Sequence, residues 1–266
     1  MKGASKMKNK HLILSVVVAL AGFLPESKAQ GVLNSAGSFA VLGGSTVTST
    51  GNTVVSGNLG TFPGSAVTGF GPGIVTNGTI YAGGSVAQAA QNDVVVAYSN
   101  LTGEASTQNF TGQDLGGLTL TPGVRNYSAA AQLTGILILD AQGNSNARFD
   151  FQIGSTLTTA GASSIILTNG AQAGNVSWLV GSSATLGAGT AFYGMIFADQ
   201  SITLNTGASI SGGTFAMNGA VNLDNNFITV PIAVPEPASF RLLAFCGSIF
   251  GVWQCLTARR RKVGRS

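Results

Sequence analysis

Two four-residue steps, Thr50-Gly51-Asn52-Thr53 and Thr206-Gly207-Ala208-Ser209, set a hydroxyl at either end of a small, uncharged turn. A hydroxyl becomes a nucleophile only beside an activating base. Between Gln30 and Val234 the chain has no His, Lys or Cys: His11 precedes this stretch, and Cys246 and Cys255 follow it. Paired carboxylates could work on a polysaccharide, the usual business of enzymes built on parallel β-helices, with Ca²⁺ or a basic side chain to help. Asp140 and Asp150 are the only close pair flanking a turn, and Arg148 beside Asp150 fits a local ion pair instead. The reading is therefore non-enzymatic, with no cofactor and no metal site expected.

Side chains of this kind need rigid elements to hold them. From Gly31 to Val234 the chain runs in short alternating β-rich segments, among them Phe39–Leu42, Thr46–Thr48, Thr53–Val55, Ile136–Leu139, Phe149–Ile153, Ile165–Leu167, Val176–Val180 and Phe192–Phe197, punctuated by Gly and Asn. Many short strands with turn signals between them predict an all-β architecture. A period then chooses among all-β folds. Ala184-Thr185-Leu186, Ile202-Thr203-Leu204 and Val221-Asn222-Leu223 recur at offsets of 18 and 19, and Phe192–Ile196 aligns with Ile210–Thr214. Such a repeat suits a parallel β-helix, or β-solenoid, whose coils share one core by stacking. In the rung Ser201–Ile210, the pattern sends Ile202, Leu204 and Ile210 inward and displays Thr206 and Ser209. One segment breaks the pattern, about residues 85–102. Ala87, Ala90, Val94, Ala97 and Leu101 form a stripe at helical spacing, Ser85 and Gln88 match a capping box, and Gly103 is a stop, so a single α-helix packed along one side is predicted.

The ends of the chain carry addresses. Residues 1–29 have four early lysines, an apolar run from Leu12 to Leu24 and Ser27-Lys28-Ala29, the layout of a cleaved secretory signal. From residue 234 onward come Pro235-Glu236-Pro237, an apolar segment over 240–256 that reads as a short transmembrane segment, and the basic cluster Arg259-Arg260-Arg261-Lys262. The three parts resemble the PEP-CTERM sorting tail of Gram-negative bacteria. That resemblance implies transient membrane anchoring, cutting near Pro235, Glu236 and Pro237 by an exosortase-type sorting enzyme, and release to the cell surface or extracellular matrix, with exopolysaccharide as a further candidate partner. An ordinary tail anchor is the alternative.

With both ends set aside, residues 30–233 form one domain, expected to act as a monomer. It keeps two arginines, Arg125 and Arg148, against seven acids, a net charge near −5. Nucleic acid is excluded as a partner, because phosphate binding needs clustered Lys and Arg. With no disulfide available, the domain depends on its core and backbone hydrogen bonds.

Read in order, Gly37-Ser38-Phe39-Ala40-Val41-Leu42, Gly57-Asn58-Leu59-Gly60, Pro63–Phe70, the helix, Leu120-Thr121-Pro122-Gly123-Val124 and Trp178-Leu179-Val180-Gly181 resemble the bacterial and fungal ice-binding proteins of the DUF3494 family, over about Leu33 to Val230. The resemblance implies a right-handed, discontinuous parallel β-helix of roughly triangular section with one α-helix alongside. It also implies adsorption to an ice crystal surface through a flat, Thr/Ser-rich β-face carrying Thr-Ala/Gly-x-Thr/Asn steps. Thr50 and Thr53 fit that motif and Thr206 and Ser209 fit it with Ser last; Thr159 keeps only the first hydroxyl of its step, and the step Ala188-Gly189-Thr190-Ala191 loses both outer hydroxyls while Thr190 stands between them. These six are the expected ice-binding residues. Stacked strands about 4.8 Å apart and alternate side chains about 6.8 Å apart would set them on a grid, and Thr, stiff at χ1, would hold its methyl and hydroxyl in place. The same residue types also suit strands and turns of solenoids that bind nothing. A non-enzymatic structural or adhesive matrix protein is the alternative function.

Overall fold

The computed structural model describes residues 33–231. The signal segment 1–29 and the tail 234–266, with its apolar stretch 240–256, lie outside them. Among the described residues no helix is long and apolar enough to cross a membrane. The described chain winds through 22 short strands and one α-helix, α1 (Gly84–Thr102), and every strand pair is parallel. It is a β-solenoid whose coils feed three ladders.

The first ladder stacks β11 (Ala131–Leu133), β14 (Leu157–Thr159), β17 (Ala184–Leu186), β19 (Ile202–Leu204), β21 (Val221–Asp224), β2 (Thr46–Thr50) and β5 (Ala66–Thr68) in that order. The second runs through β9 (Thr119–Leu120), β12 (Ile136–Asp140), β15 (Ser164–Thr168), the first halves of β18 (Ala191–Ala198) and β20 (Ser209–Ala216), β22 (Phe227–Thr229), β3 (Val54–Ser56) and β6 (Ile74–Thr76). The third holds β8 (Gln108–Asn109), β10 (Gly123–Tyr127), β13 (Phe149–Ile153), β16 (Val176–Val180), the second halves of β18 and β20, β1 (Phe39–Gly43), β4 (Asn58–Thr61) and β7 (Ile80–Ala82).

Side-chain alternation explains the core. On the first ladder the inward residues Ala184, Leu186, Ile202, Leu204 and Val221 are buried while the residue between each pair stays partly exposed. The repeat read from the sequence appears as register, with Ala184 opposite Ile202, Ile202 opposite Val221 and Phe192 opposite Ile210. Strands β1, β13 and β16 are instead buried at every position, as a parallel sheet covered on both faces must be. Their outer residues Leu42 and Leu179, with Phe197 and Phe215, meet the α1 stripe Ala87, Ala90, Val94, Ala97 and Leu101. On the inner side Trp178 stacks on Phe151 at 3.9 Å between ring centroids and leans on Phe192 at 5.0 Å. Arg125 is only 2% exposed; its guanidinium lies 5.8 Å from Phe110 and 5.7 Å from Phe151 and donates to the Gly123 carbonyl, closing one end of the core.

The helix begins one residue earlier than expected, and its start differs in kind. Gly83 is the N-cap, with no side-chain cap, and Gly83 and Gly84 both have positive φ, 79° and 82°. The glycine pair swings the chain off β7 into the helix, which places Ser85 inside the first turn, where it cannot form the expected capping box. Gly103 ends the helix as expected. Gln91 donates to the Met217 carbonyl at 2.8 Å, and Gln152 donates to the carbonyls of Leu101 at 3.0 Å and Glu104 at 2.8 Å, so α1 is tied to the coils along its length.

Chain order and stacking order differ. The two N-terminal coils do not continue into the coils that follow α1. They sit on the last ones: Val41 pairs with Thr214, Val47 with Val221 and Val54 with Phe227. The helix of 19 residues, about 28 Å long at ~1.5 Å per residue, carries the chain from β7 toward the far end at β8.

Strands β18 and β20 pass from the second ladder to the third at Gly194 and Gly212, which face each other in register. A Cβ on Gly212 would lie 1.8 Å from the Gly194 carbonyl oxygen. Gly212→Ala is therefore expected to lower unfolding stability by roughly 2–3 kcal/mol, the scale of overpacking against immovable backbone, measured by denaturant unfolding against wild type.

Candidate functional site

Because side chains alternate across a strand, the first ladder turns every second residue outward. Register sets these into one row: Gln132, Thr158, Thr185, Thr203, Asn222, Thr48 and Thr68, each directly opposite the next. Rungs repeat at about 4.8 Å. The row is also internally bonded. Thr48 Oγ1 donates to Asn222 Oδ1 at 2.9 Å, and Asn222 Nδ2 donates to Thr203 Oγ1 at 3.4 Å. All five threonines of the row are at least partly exposed, and none of its side chains is charged.

The six expected residues divide. Thr50 and Thr206 are exposed at the edge of this face, and Ser209 is half-exposed where the second ladder begins. Asp224, register partner of Thr50, accepts from Thr50 Oγ1 at 2.9 Å and from the Thr206 hydroxyl. Thr53, Thr159 and Thr190 do not reach the surface, with exposures of 0%, 3% and 0%. Side chains so enclosed cannot touch a crystal, and they do structural work. Thr53 Oγ1 accepts from the Asn226 amide at 3.3 Å, Thr159 and Thr190 share a 2.8 Å hydrogen bond, and Thr190 donates to the Ala160 carbonyl at 3.2 Å.

The reason is the corner. Gly51, Gly189 and Gly207 have φ of 66°, 67° and 73°, a left-handed conformation that turns the chain sharply between the first and second ladders. Past such a corner Thr53 and Thr190 point in, to satisfy buried polar groups, whereas Thr159 is inward by the alternation of β14, opposite Leu133. The row that does face outward is carried by the middle residues of the Ala-Thr-Leu, Ile-Thr-Leu and Val-Asn-Leu repeats. Their recurrence at offsets of 18 and 19 is the sequence signal for this row; the hydroxyl steps mark the corner instead.

The carboxylates that the sequence pairs, Asp140 and Asp150, lie on the second and third ladders. Arg148 bridges Glu104 at 3.0 Å and Asp150 at 2.9 Å; burial pushes the Asp150 carboxyl up, with Arg148 opposing. Asp140 keeps separate partners, the Gln142 amide and Asn169 Nδ2, both at 2.8 Å. Among the described residues no group of three or more His, Cys, Asp or Glu could hold a metal.

A stack of parallel coils with a helix laid along one side and a ruled, uncharged row of hydroxyls on another defines a β-solenoid built to present a regular surface. The chain belongs to the Ice-binding-like family, whose profile matches residues 41–229. It is 50% identical to the ice-binding protein of Nostoc sp. (strain HG1) over 97% of each chain. Among solved structures it is similar to an ice-binding protein from an Antarctic biological consortium, with TM-score 0.73 and 40% identity over 75% of this chain and 90% of the other. It is likewise similar to the ice-binding protein of the Antarctic ascomycete Antarctomyces psychrotrophicus, with TM-score 0.73 and 39% identity over 76% and 98%.

Proposed function

We propose that the domain adsorbs to ice through the outward face of the first ladder. The observation that carries this is the in-register row Thr158, Thr185, Thr203, Asn222, Thr48 and Thr68, with Thr50, Thr206 and Ser209 along its edge. Thr53, Thr159 and Thr190 support the corner from within. Fixed methyls and hydroxyls repeating in two directions can order water at spacings comparable to an ice lattice, and the methyls add about 25 cal/mol per Å² of apolar burial. Ionised groups would oppose this by ordering water radially and resisting desolvation; the outward row has none. Binding is collective, many weak contacts adding on one rigid face, and needs no enzyme chemistry.

The finer architecture follows the same reading. With three ladders per coil the section is roughly triangular, and the coils wind right-handed, as parallel crossovers do in ≈ 98% of cases. The leader and the Pro235-Glu236-Pro237 tail favour export, sorting by an exosortase-type enzyme after transient anchoring, and action as a monomer at the cell surface or in the extracellular matrix. That tail also favours a second role as a matrix component in contact with exopolysaccharide.

Thermal hysteresis and recrystallisation assays on residues 30–234 test the adsorption reading. The domain is expected to shape and slow ice growth, and Thr206→Tyr, at the edge of the face, to retain only part of that activity. Ordinary ice growth with the wild-type domain would leave the matrix role standing alone.

A further inference from the structure

We propose that Asp224 is a positioning residue that sets the hydrogen-bond polarity of the edge of the ice-facing surface, taking the hydroxyl protons of Thr50 and Thr206 so that both present only lone pairs outward. This rests on the adsorption reading above. The geometry is a bridge across three coils. Asp224 ends β21; on one flank it is the register partner of Thr50, and on the other its carbonyl accepts from the Gly207 amide at 3.1 Å, which brings the Thr206 coil alongside. Each carboxylate oxygen takes one hydroxyl: Oδ1 accepts from Thr50 at 2.9 Å and Oδ2 from Thr206. Asn225 Nδ2 adds a donor to Oδ1 at 2.9 Å, and the Asp224 amide donates to Asn226 Oδ1 at 2.6 Å, which steadies the turn.

A carboxylate only accepts, and a threonine hydroxyl has one proton. With both protons drawn onto Asp224, neither hydroxyl can rotate to donate, and an ice water opposite either must be the donor. The orientation is settled before docking, so no rotor freedom is lost on contact. A protonated Asp224 has a proton of its own to place and cannot serve both hydroxyls in the same way. The groups facing it from β2, from the turn after β19 and from its own turn are Thr50, Thr206, Asn225 and Asn226, all uncharged, so no neighbouring titration confuses the response. The Thr206 and Thr50 hydrogen bonds hold its carboxyl below the usual carboxylate range.

The test is thermal hysteresis of the full chain from pH 7 down to pH values below Asp224's titration, with circular dichroism at each point to follow the fold. Wild type is expected to lose activity about threefold across that titration, the size of a fraction of one hydrogen bond in a binding constant. Asp224→Asn is expected to sit near the lower level at every pH, and Thr50→Val with Thr206→Val to show no pH step although Asp224 remains. Asp224→Asn as active as wild type at pH 7, or a wild-type profile that stays flat while the fold persists, overturns the proposal. The wild-type profile decides the matter even if a variant fails to fold. Absence of ice activity in wild type at every pH overturns the adsorption reading instead.

Discussion

Thr203→Tyr is expected to reduce thermal hysteresis to a tenth or less of wild type, a loss of about 1.4 kcal/mol or more in effective adsorption, while stability stays within about 0.5 kcal/mol. Thr203 lies mid-row, flanked in register by Thr185 and Asn222. A phenol there stands well above its neighbours and holds the rungs on both sides away from a flat crystal. Because contacts on a rigid face form together, one protrusion at the centre disables many of them, whereas Thr206→Tyr at the edge spares part of the row. Val96→Tyr, on the outer side of α1 at a site 55% exposed, is the matched control and is expected to keep full activity. If Thr203→Tyr retains wild-type hysteresis while Thr206→Tyr loses it, the docking surface is the corner and the second ladder, and the row is structural.

Trp178→Ala is expected to produce the largest fall in stability, about 3–5 kcal/mol, read as a shift in denaturant midpoint. The indole is fully buried, stacks 6° from parallel on Phe151, and donates from Nε1 to the Tyr193 carbonyl at 3.0 Å. Truncation opens a cavity in the middle of the stack and leaves that carbonyl without its partner. Trp178→Phe keeps most of the volume and is expected to recover more than half of the loss. A drop below 1 kcal/mol for Trp178→Ala would mean that neighbouring coils collapse into the space, contrary to the close packing of the inner aromatic column.

Period and burial were legible in the sequence because each coil repeats the same inward choice. Ala184, Ile202 and Val221 were aligned by spacing alone, as was the stripe from Ala87 to Leu101. Two features were not legible, for different reasons. The stacking of the first coils on the last depends on pairings such as Val47 with Val221, between segments far apart in the chain whose alternation would suit many neighbours. The site was half legible. Thr50 and Thr206 could be seen as displayed, but Thr53 and Thr190 could not be seen as buried without knowing that the left-handed Gly51 and Gly189 bend the chain around an edge, nor Thr159 without the register that sets it opposite Leu133.

The crossing of chain order and stacking order also governs when this domain can exist. Its two outermost coils, around β7 and β8, come from the interior of the sequence, while β1 and β22, near the ends of the described chain, lie inside the stack. Neither end of the column can unravel from a free terminus. The first coils made have no partner until the last ones arrive, so the column closes only once synthesis has passed Phe227. Closing contacts across such separations is slow relative to local folding, so an interval remains after synthesis in which the domain is still an unclosed thread.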